Sequence, residues 1–581
     1  MVTIISLRGG KAEICFHYTR IRAPSPSRGA RVWHIIKPGA HALSLSLCET
    51  KGGGFMYKIG RWILLALFVA FLTGFMPTVF EWCDRFFVFT EDGLFVTRHF
   101  TRAVDALFLT LKDYAWHITI IYAAVIAFVI FMEGQNPDRT MLWMLALIFL
   151  PVFGVVLYLI IGPDFRSLRN RRLFRPSKKY GFDDTPFPKD VEEQFRIGRM
   201  LHACSGAELL MRNRVEILIN GDETFPAIER ALAAAKNYIH MEFFIVRGDE
   251  LGARIGGLLK EAAARGVKVR LLYDAVGSWS LRRSFVKDLE DAGIDCRSFM
   301  PVALPIFRRQ MNFRNHRKIV VIDGAVGFTG GLNLGKEYEG KGPLGFWRDT
   351  FVRLEGEAVA ELHKIFLEDW CVSSGEKPRE GCECERDFQV ADEGLNSLPL
   401  IPMQVVASGV DSVWHSIAKG YYGMISRARE RAWITSPYLV PGPELMNAMI
   451  AASLSGVDVR VMIPSKKDHF LVFWGSRSNI EPLLRSGVRV FLYQDGFIHT
   501  KSVLSDCCCA SVGTCNMDVR SLDINFENQL FIYDKKITSD FAEQFERDME
   551  RCRELTISEW EERPVWQKVL ESFGRLYSAQ I

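Results

Sequence analysis

Two segments of the sequence carry the same reactive side chains at the same spacing. In the first, a histidine is followed two, seven, fourteen and seventeen positions later by lysine, aspartate, glycine and asparagine: His316, Lys318, Asp323, Gly330 and Asn333. The second segment repeats this spacing with His499, Lys501, Asp506, Gly513 and Asn516. One such match could be an accident, but two indicate a shared chemical task.

These residue types suit the transfer of a phosphodiester. An ammonium group neutralises phosphate oxygens, and an imidazole, with an ordinary pKa of about 6.5, either attacks phosphorus or protonates the leaving alkoxide. Because residues two apart in a strand share a face, His316 and Lys318 are predicted to point the same way, as are His499 and Lys501. The amides of Asn333 and Asn516 could donate hydrogen bonds to substrate oxygens.

Carboxylates are needed to hold two histidines in opposite protonation states. Asp349 and Glu527 follow their motifs by similar intervals and are the candidates, although each could equally be a surface carboxylate. Asp323 and Asp506 belong to the candidate catalytic set. A structural role is favoured for both, because Gly324 directly after Asp323 indicates a hairpin turn.

An internal duplication supplies the elements that position these residues. Strand-like Tyr238–Val246 is matched by Ala432–Val440, and the glycine-led strand Gly266–Tyr273 by Gly456–Ile463, with helical stretches between them. We therefore predict an α/β fold of two mixed-sheet lobes related by a pseudo-twofold axis. The predicted boundaries are a first lobe at 215–371, a linker at 372–402 and a second lobe at 403–581.

The apolar residues are concentrated in the first third of the chain. A membrane region is predicted over 56–165, since the runs 62–80, 114–132 and 141–162 lack acidic and basic residues other than His117 and are long enough to cross a bilayer. The next segment, 166–214, is predicted to be a basic juxtamembrane linker. Its seven basic residues between Arg166 and Lys179 favour a cytoplasmic catalytic part and attraction to anionic lipids.

Residues 1–55 show neither an apolar run nor a clear periodicity, so they are expected to be unstructured or to precede a true start at Met56. The 13 cysteines include the run Cys507–Cys509, which indicates buried or reduced thiols in a cytosolic compartment. Cys371, Cys382 and Cys384 fit no standard zinc spacing and favour loop thiols over a metal site. No metal ion or other cofactor is predicted.

The paired motifs resemble the HKD motifs of the phospholipase D superfamily. The surrounding sequences Asn312–Lys318, Tyr493–Lys501 and Asn516–Ser521, together with the hairpin of apolar runs before a basic segment, resemble bacterial cardiolipin synthases in particular. The resemblance covers about 114–581. The sequence departs from the family in residues 1–55, in the long loop between the first two apolar runs and in having Gly330-Gly331 and Gly513-Thr514 where Gly-Ser is usual.

The resemblance implies a bilobed α/β fold with both histidines at the interface and a phosphohistidine intermediate. It implies condensation of two phosphatidylglycerols into cardiolipin with release of glycerol, with His316 as nucleophile and His499 as acid. Phosphatidylglycerol and anionic membrane lipids would be the partners, at a cell membrane that the chain crosses several times.

Other functions remain open to different degrees. A phospholipase D-type hydrolase, or a transferase using another alcohol, would share every residue named above. A nuclease is disfavoured by the apolar runs, and a net charge of +4 does not imply a nucleic-acid partner. The metal-dependent class of cardiolipin synthase needs Asp-Gly-x-x-Ala-Arg, whereas Asp92-Gly93 is followed by Val96-Thr97. A non-enzymatic scaffold would be expected to have lost a histidine or lysine. The oligomeric state is not predicted.

Overall fold

The computed structural model describes two compact units, Met1–His117 and Ile118–Ile581. In the first, the described residues form two short antiparallel hairpins, Ile4–Arg8 with Lys11–Cys15 and Phe89–Thr90 with Gly93–Leu94. The described residues of the chain are 4–8, 11–15, 89–90, 93–94, 117, 120–128, 137–150, 153–154, 193–301, 313–374, 392–410, 412, 414–506 and 508–576.

The apolar runs are described only in part. The run 62–80 lies outside the described residues, and residues 120–128 of the second run are helical. The helix Pro137–Phe149 begins before the third run and ends within it, just ahead of a proline that cannot continue the backbone hydrogen bonding. Of the helices described, none combines the length and apolar character needed to cross a bilayer. The three spans therefore stay a prediction.

A single fifteen-stranded mixed sheet organises the described part of the second unit, and its order is nearly palindromic about one central antiparallel pair, Leu210–Ile219 with Leu400–Ser408. We call the half that runs outward from Leu210–Ile219 the first lobe and the other half the second lobe. From the edge of the second lobe to the edge of the first, the strands are Cys552–Leu555, Arg489–Tyr493, Asp458–Pro464, Arg431–Thr435, Ser502–Ser505, Cys509–Gly513, Glu527–Ile532, Leu400–Ser408, Leu210–Ile219, Thr350–Gly356, Val326–Gly330, Ile319–Ile322, Tyr238–Phe243, Lys268–Asp274 and Asp295–Phe299.

Helices cover both faces of this sheet, as its apolar strands require. One face carries a core that both lobes share, beneath the helices Glu357–Ser374 and Lys535–Met549. On the other face each lobe has a core of its own. The helices of the second unit from residue 193 on are Glu193–Ser205, Asn220–Ala234, Glu250–Ala264, Arg283–Asp291, the 3-10 helix Lys336–Glu339, Glu357–Ser374, Asp392–Leu395, Ser416–Arg427, Pro443–Leu454, Phe470–Ser478, Ile480–Arg485, Val519–Asp523, Lys535–Met549, Ile557–Glu561 and Val565–Leu576.

The duplicated α/β architecture agrees with the fold predicted from the repeat. Part of the predicted linker 166–214 packs against a lobe. The helix Glu193–Ser205 lies within this segment, and its Ile197 and Leu201 are buried in the core of the second lobe. The central strand Leu210–Ile219 likewise begins before residue 215. The domain boundaries themselves stay a prediction.

Candidate active site

Each candidate histidine lies just ahead of an equivalent strand in its lobe. His316 and Lys318 precede Ile319–Ile322, and His499 and Lys501 precede Ser502–Ser505, so neither pair belongs to the regular strand itself. All four side chains are buried, and the lysines are almost fully enclosed. Each lysine ammonium donates a hydrogen bond to the carbonyl oxygen of the histidine two residues before it.

Backbone hydrogen bonds between the lobes bring the two motifs together. The N–H of His316 donates to the carbonyl of Phe526 over 2.9 Å, and the N–H of His499 donates to the carbonyl of Arg348 over 2.7 Å. A short parallel pairing of Trp347–Arg348 with Phe497–Ile498 continues the second contact. Each histidine segment is therefore fastened to the segment of the opposite lobe that carries a candidate carboxylate.

The carboxylates cross over accordingly. Nδ1 of His316 lies 2.9 Å from Oε2 of Glu527, and Nδ1 of His499 lies 2.7 Å from Oδ2 of Asp349. Both carboxylates are completely buried. With Nδ1 bonded to a carboxylate, the neutral imidazole holds its proton there and presents the Nε2 lone pair for chemistry. Sequence spacing associated each carboxylate with the motif before it, whereas the fold pairs it with the other one.

The two pairs differ in what holds the carboxylate. The Thr514 hydroxyl donates to Oε2 of Glu527 over 2.6 Å, and Asn525 adds a longer bond to the other oxygen. Asp349 instead accepts the N–H of Thr350 over 2.8 Å. The residue equivalent to Thr514 is Gly331, where a Cβ atom would overlap the carboxylate of Asp349. Where the superfamily usually has serine, Gly331 leaves room for Asp349 in one lobe, and Thr514 provides a hydroxyl donor to Glu527 in the other.

Gly331→Ala is expected to lower turnover at least about tenfold, because the added methyl group must displace Asp349 from His499. The measurement is kcat in detergent, alongside the thermal unfolding temperature. The matched control is Gly257→Ala in the helix Glu250–Ala264, where a Cβ meets nothing within 4 Å and turnover should be unchanged. A wild-type kcat for Gly331→Ala would show that Asp349 does not have to lie this close to residue 331.

The electrostatics are those of one site shared by two lobes. Burial chiefly lowers the pKa of His316 to about 4 and that of His499 to about 3, and both lysines add to the lowering at each histidine. Burial likewise lowers the pKa of Lys318 to about 7 and that of Lys501 to about 8. Burial alone would raise the pKa of Glu527, but His316, Lys318 and Thr514 hold it below its usual value.

The motif aspartates lie at the opposite end of the strand from the histidines. Asp323 and Asp506 have positive φ angles of 54° and 50°, in the turn that follows each strand. Each carboxylate accepts three successive backbone N–H groups at the start of a neighbouring strand, and these donors are Lys236, Asn237 and Tyr238 for Asp323 and Arg429, Glu430 and Arg431 for Asp506. These contacts favour the structural role over direct participation.

The motif asparagines brace loops within their own lobes. Asn333 donates to the hydroxyl of Tyr338 over 2.6 Å and accepts the N–H of Ile245. Asn516 donates to Ser521 over 3.2 Å. Their predicted role as donors to phosphate oxygens stays a prediction, since each amide already has a partner inside the protein.

Several residues that surround the histidines were not anticipated from sequence. Phe244 packs edge-on against His316 at 5.0 Å between ring centroids and lies beside the Lys318 ammonium. Trp347 and Tyr338 flank His499 at 5.3 and 6.2 Å. Trp347 stands two residues before Asp349, which was the signal available in the sequence; Tyr338 and Phe244 offered none.

The described residues include no group of three or more histidine, cysteine, aspartate or glutamate side chains arranged to hold a metal ion. Cys371 and Cys508 are half-buried, and Cys509 is buried. Cys382, Cys384 and Cys507 lie outside the described residues.

A bilobed α/β sheet with two carboxylate-bonded histidines at its centre defines a phospholipase D-like protein. A family model described as "Cardiolipin synthase, PLD-like domain" matches residues 228–370 and 421–549, and a "Phospholipase_D-nuclease N-terminal" model matches 120–163. The solved structure of phosphatidylserine synthase from Haemophilus influenzae is similar in fold, with a TM-score of 0.52 at 15% identity over 67% of this chain and 100% of that one.

Curated relatives narrow the class further. A cardiolipin synthase of Halalkalibacterium halodurans is 37% identical over 85% of this chain and 98% of its own length. Cardiolipin synthase 2 of Bacillus anthracis is 40% identical over 78% of this chain and 89% of its own. The chain belongs to the bacterial cardiolipin synthase family of the phospholipase D superfamily.

Proposed function

We propose that this protein is a cardiolipin synthase that transfers the phosphatidyl group of one phosphatidylglycerol to the terminal hydroxyl of a second and releases glycerol. The observation that carries the proposal is the crossed pair of histidine–carboxylate contacts, which supplies two imidazoles and two lysines to a single enclosed site. Family membership supports the same reaction. A hydrolase or a transferase with another acceptor is the alternative, and the described residues offer no observation in its favour.

In the first half of the proposed reaction, Nε2 of His316 attacks phosphorus, and the bond between phosphorus and the oxygen of the glycerol headgroup breaks. Protonated His499 gives its proton to that oxygen, so glycerol leaves as the neutral alcohol. In the second half, the now neutral His499 takes the proton of the incoming hydroxyl as its oxygen attacks phosphorus. The phosphorus–nitrogen bond breaks, and both histidines return to their initial states.

The substrate's own charge has a part in this cycle. Because burial lowers the pKa of His499 to about 3 in the empty site, the imidazolium needs a nearby anion. A bound phosphodiester supplies that negative charge, together with Asp349 at Nδ1. Lys318 and Lys501 carry the compensating positive charge that stabilises the additional negative charge at the transition state. The assignment of nucleophile to His316 follows the family resemblance.

We also infer that the catalytic part is tethered to the cell membrane through spans near 62–80, 114–132 and 141–162, with the lobes on the cytoplasmic side. The uncharged runs and the basic residues that follow them support this topology. The match of residues 120–163 to an N-terminal family model also supports it. Phosphatidylglycerol is the proposed substrate, and anionic lipids are the proposed surroundings.

The direct test is to incubate the full chain, purified in detergent, with labelled phosphatidylglycerol and without added metal or nucleotide. Cardiolipin and glycerol in equal amounts are expected. Phosphatidic acid without cardiolipin would overturn the synthase proposal in favour of the hydrolase. A preparation carrying both His316→Ala and His499→Ala is the matched control for contaminating activity.

The value of kcat/KM is expected to fall at least about tenfold as the pH rises from about 6 to about 9. The site loses its positive charge as pH rises through the lowered pKa values of Lys318 and Lys501, about 7 and about 8, while the substrate phosphodiester stays ionised. On the acid side, protonation of His316 near pH 4 removes the nucleophile. Rates in detergent at constant ionic strength measure the profile, and a flat profile from pH 6 to about 9 would show that the free enzyme's lysines stay charged.

A further inference from the structure

The helix near the end of the described chain, Val565–Leu576, has an apolar face that the described residues leave largely exposed, although Trp566 packs edge-on against Trp474 at 5.8 Å between ring centroids. Val565, Trp566, Val569 and Leu576 are 57–77% exposed, and at helical spacing they fall on one side. Phe470 and Leu471, at the start of the neighbouring helix Phe470–Ser478, are also exposed. We call these six residues the apolar patch. Soluble surfaces rarely gather so many large apolar side chains in one place without a partner.

The opposite side of this helix is firmly held, so the exposure is not that of a detached segment. Gly574 lies so close to Gly475 and Trp474 that a Cβ atom there would overlap the neighbouring helix. Glu571 is buried and pairs with Arg563 over 2.9 Å. The fold thus fixes the helix at an angle that keeps its apolar face outward.

The charges beside the patch favour an anionic surface. The helix contains three charged residues, and its one acid, Glu571, is the buried partner of Arg563. Lys568 and Arg575 are exposed and lie in line along the helix, two turns apart, on the flank of the apolar face, and the Lys568 ammonium donates to the carbonyl oxygen of Glu561 over 3.0 Å. Tryptophan and aliphatic residues on one face, with basic residues on the polar surface beside it, characterise helices that lie in the membrane interface.

One end of the patch is connected through the chain to the surroundings of the catalytic residues. The helix Phe470–Ser478 begins two residues after Asp468, whose carboxylate accepts the hydroxyl of Tyr438 and contributes to the electrostatic environment of Lys501. Phe473 of that helix lines a small cavity together with Tyr438, Lys466 and Asp468. A surface that binds the apolar patch would therefore meet the protein beside the site that handles the lipid headgroup.

We propose that the apolar patch is a membrane-docking surface that seats the catalytic lobes on an anionic bilayer, separately from any transmembrane segment. Choosing a bilayer as the partner rests on the proposed lipid substrate. The patch inserts into the headgroup region of the bilayer, and Lys568 and Arg575 contact lipid phosphates. Phosphatidylglycerol then reaches the active site without leaving the membrane interface.

The binding test places an environment-sensitive fluorescent amino acid at position 569 in the full chain, reconstituted in vesicles of phosphatidylcholine and phosphatidylglycerol. A nitroxide-labelled lipid is the quencher. Quenching at 569 should be several-fold stronger than at the control position 454, because Leu454 is 71% exposed on a helix outside the patch. Equal quenching at the two positions would overturn the proposal.

The functional test compares Val569→Glu with Leu454→Glu. Val569→Glu should lower cardiolipin formation in vesicles about tenfold, and should stay within about twofold of wild type in detergent micelles, where no flat surface has to be found. Leu454→Glu should change neither rate. Wild-type activity of Val569→Glu in vesicles would overturn the docking surface.

Two further outcomes separate the docking surface from the proposed enzymatic function and from an interface between copies of the chain. If no preparation makes cardiolipin even in detergent, the proposed function fails, yet the quenching experiment still decides the docking surface. If wild type is dimeric in detergent by sedimentation and Val569→Glu is monomeric, the patch is an interface between copies of this chain and the bilayer proposal is wrong.

Discussion

Replacing either His316 or His499 by alanine is expected to reduce cardiolipin formation at least about 10⁴-fold, since each removal eliminates one of two groups that act as a unit. His316→Ala leaves no nitrogen to attack phosphorus, and His499→Ala leaves the glycerol oxygen to depart as an alkoxide. The measurement is the rate of labelled glycerol release from phosphatidylglycerol in detergent. Near-normal activity in either variant would exclude a two-histidine mechanism.

The roles of the two histidines can be separated with a better leaving group. A phosphatidyl ester of 4-nitrophenol needs no proton at the departing oxygen, so the acid becomes dispensable for the first step. The rate of each variant is expressed as a fraction of the wild-type rate with the same substrate. For His499→Ala, this fraction should be at least about 100-fold higher for nitrophenol release than for glycerol release. His316→Ala should remain inactive with both substrates. The reverse pattern would assign the nucleophile to His499.

Removing the charge of either buried carboxylate is expected to be nearly as costly. Asp349→Asn and Glu527→Gln should each lower kcat by about 10²–10⁴-fold with the fold intact. An amide at 527 no longer secures His316 with its Nε2 lone pair exposed, and an amide at 349 no longer stabilises protonated His499. Thermal unfolding checks the fold. Asp323→Asn is the matched control: it should lower the unfolding temperature, since it weakens three backbone contacts, and change kcat only a few-fold.

The crossed pairing makes a sharper prediction with the same nitrophenyl ester. Asp349 contacts His499, so Asp349→Asn should recover activity with the better leaving group as His499→Ala does. Glu527 contacts His316, so Glu527→Gln should stay impaired. If Glu527→Gln recovered and Asp349→Asn did not, while the histidine variants behaved as expected, each carboxylate would serve the histidine of its own motif and the crossed arrangement would be wrong.

The duplicated fold and the family were accessible from sequence because their signals are local. A lysine two residues after a histidine, and a glycine-led strand recurring in the same order, are read within short windows and appear twice. The turn role favoured for Asp323 and Asp506 came from local turn chemistry, and their contacts with backbone N–H groups agree with it. The exposed face of Val565–Leu576 was not predicted, although its periodicity was present in the sequence.

The sequence by itself determined the residue types, their repeated spacing and the two-lobed α/β architecture. Only the tertiary structure decided which carboxylate orients which histidine. Spacing along the chain associates Asp349 with His316, but the central antiparallel strands Leu210–Ile219 and Leu400–Ser408 join the lobes so that each motif faces the other's carboxylate. Such contacts are long-range: they depend on how two sheets meet, and no local propensity or periodicity encodes that.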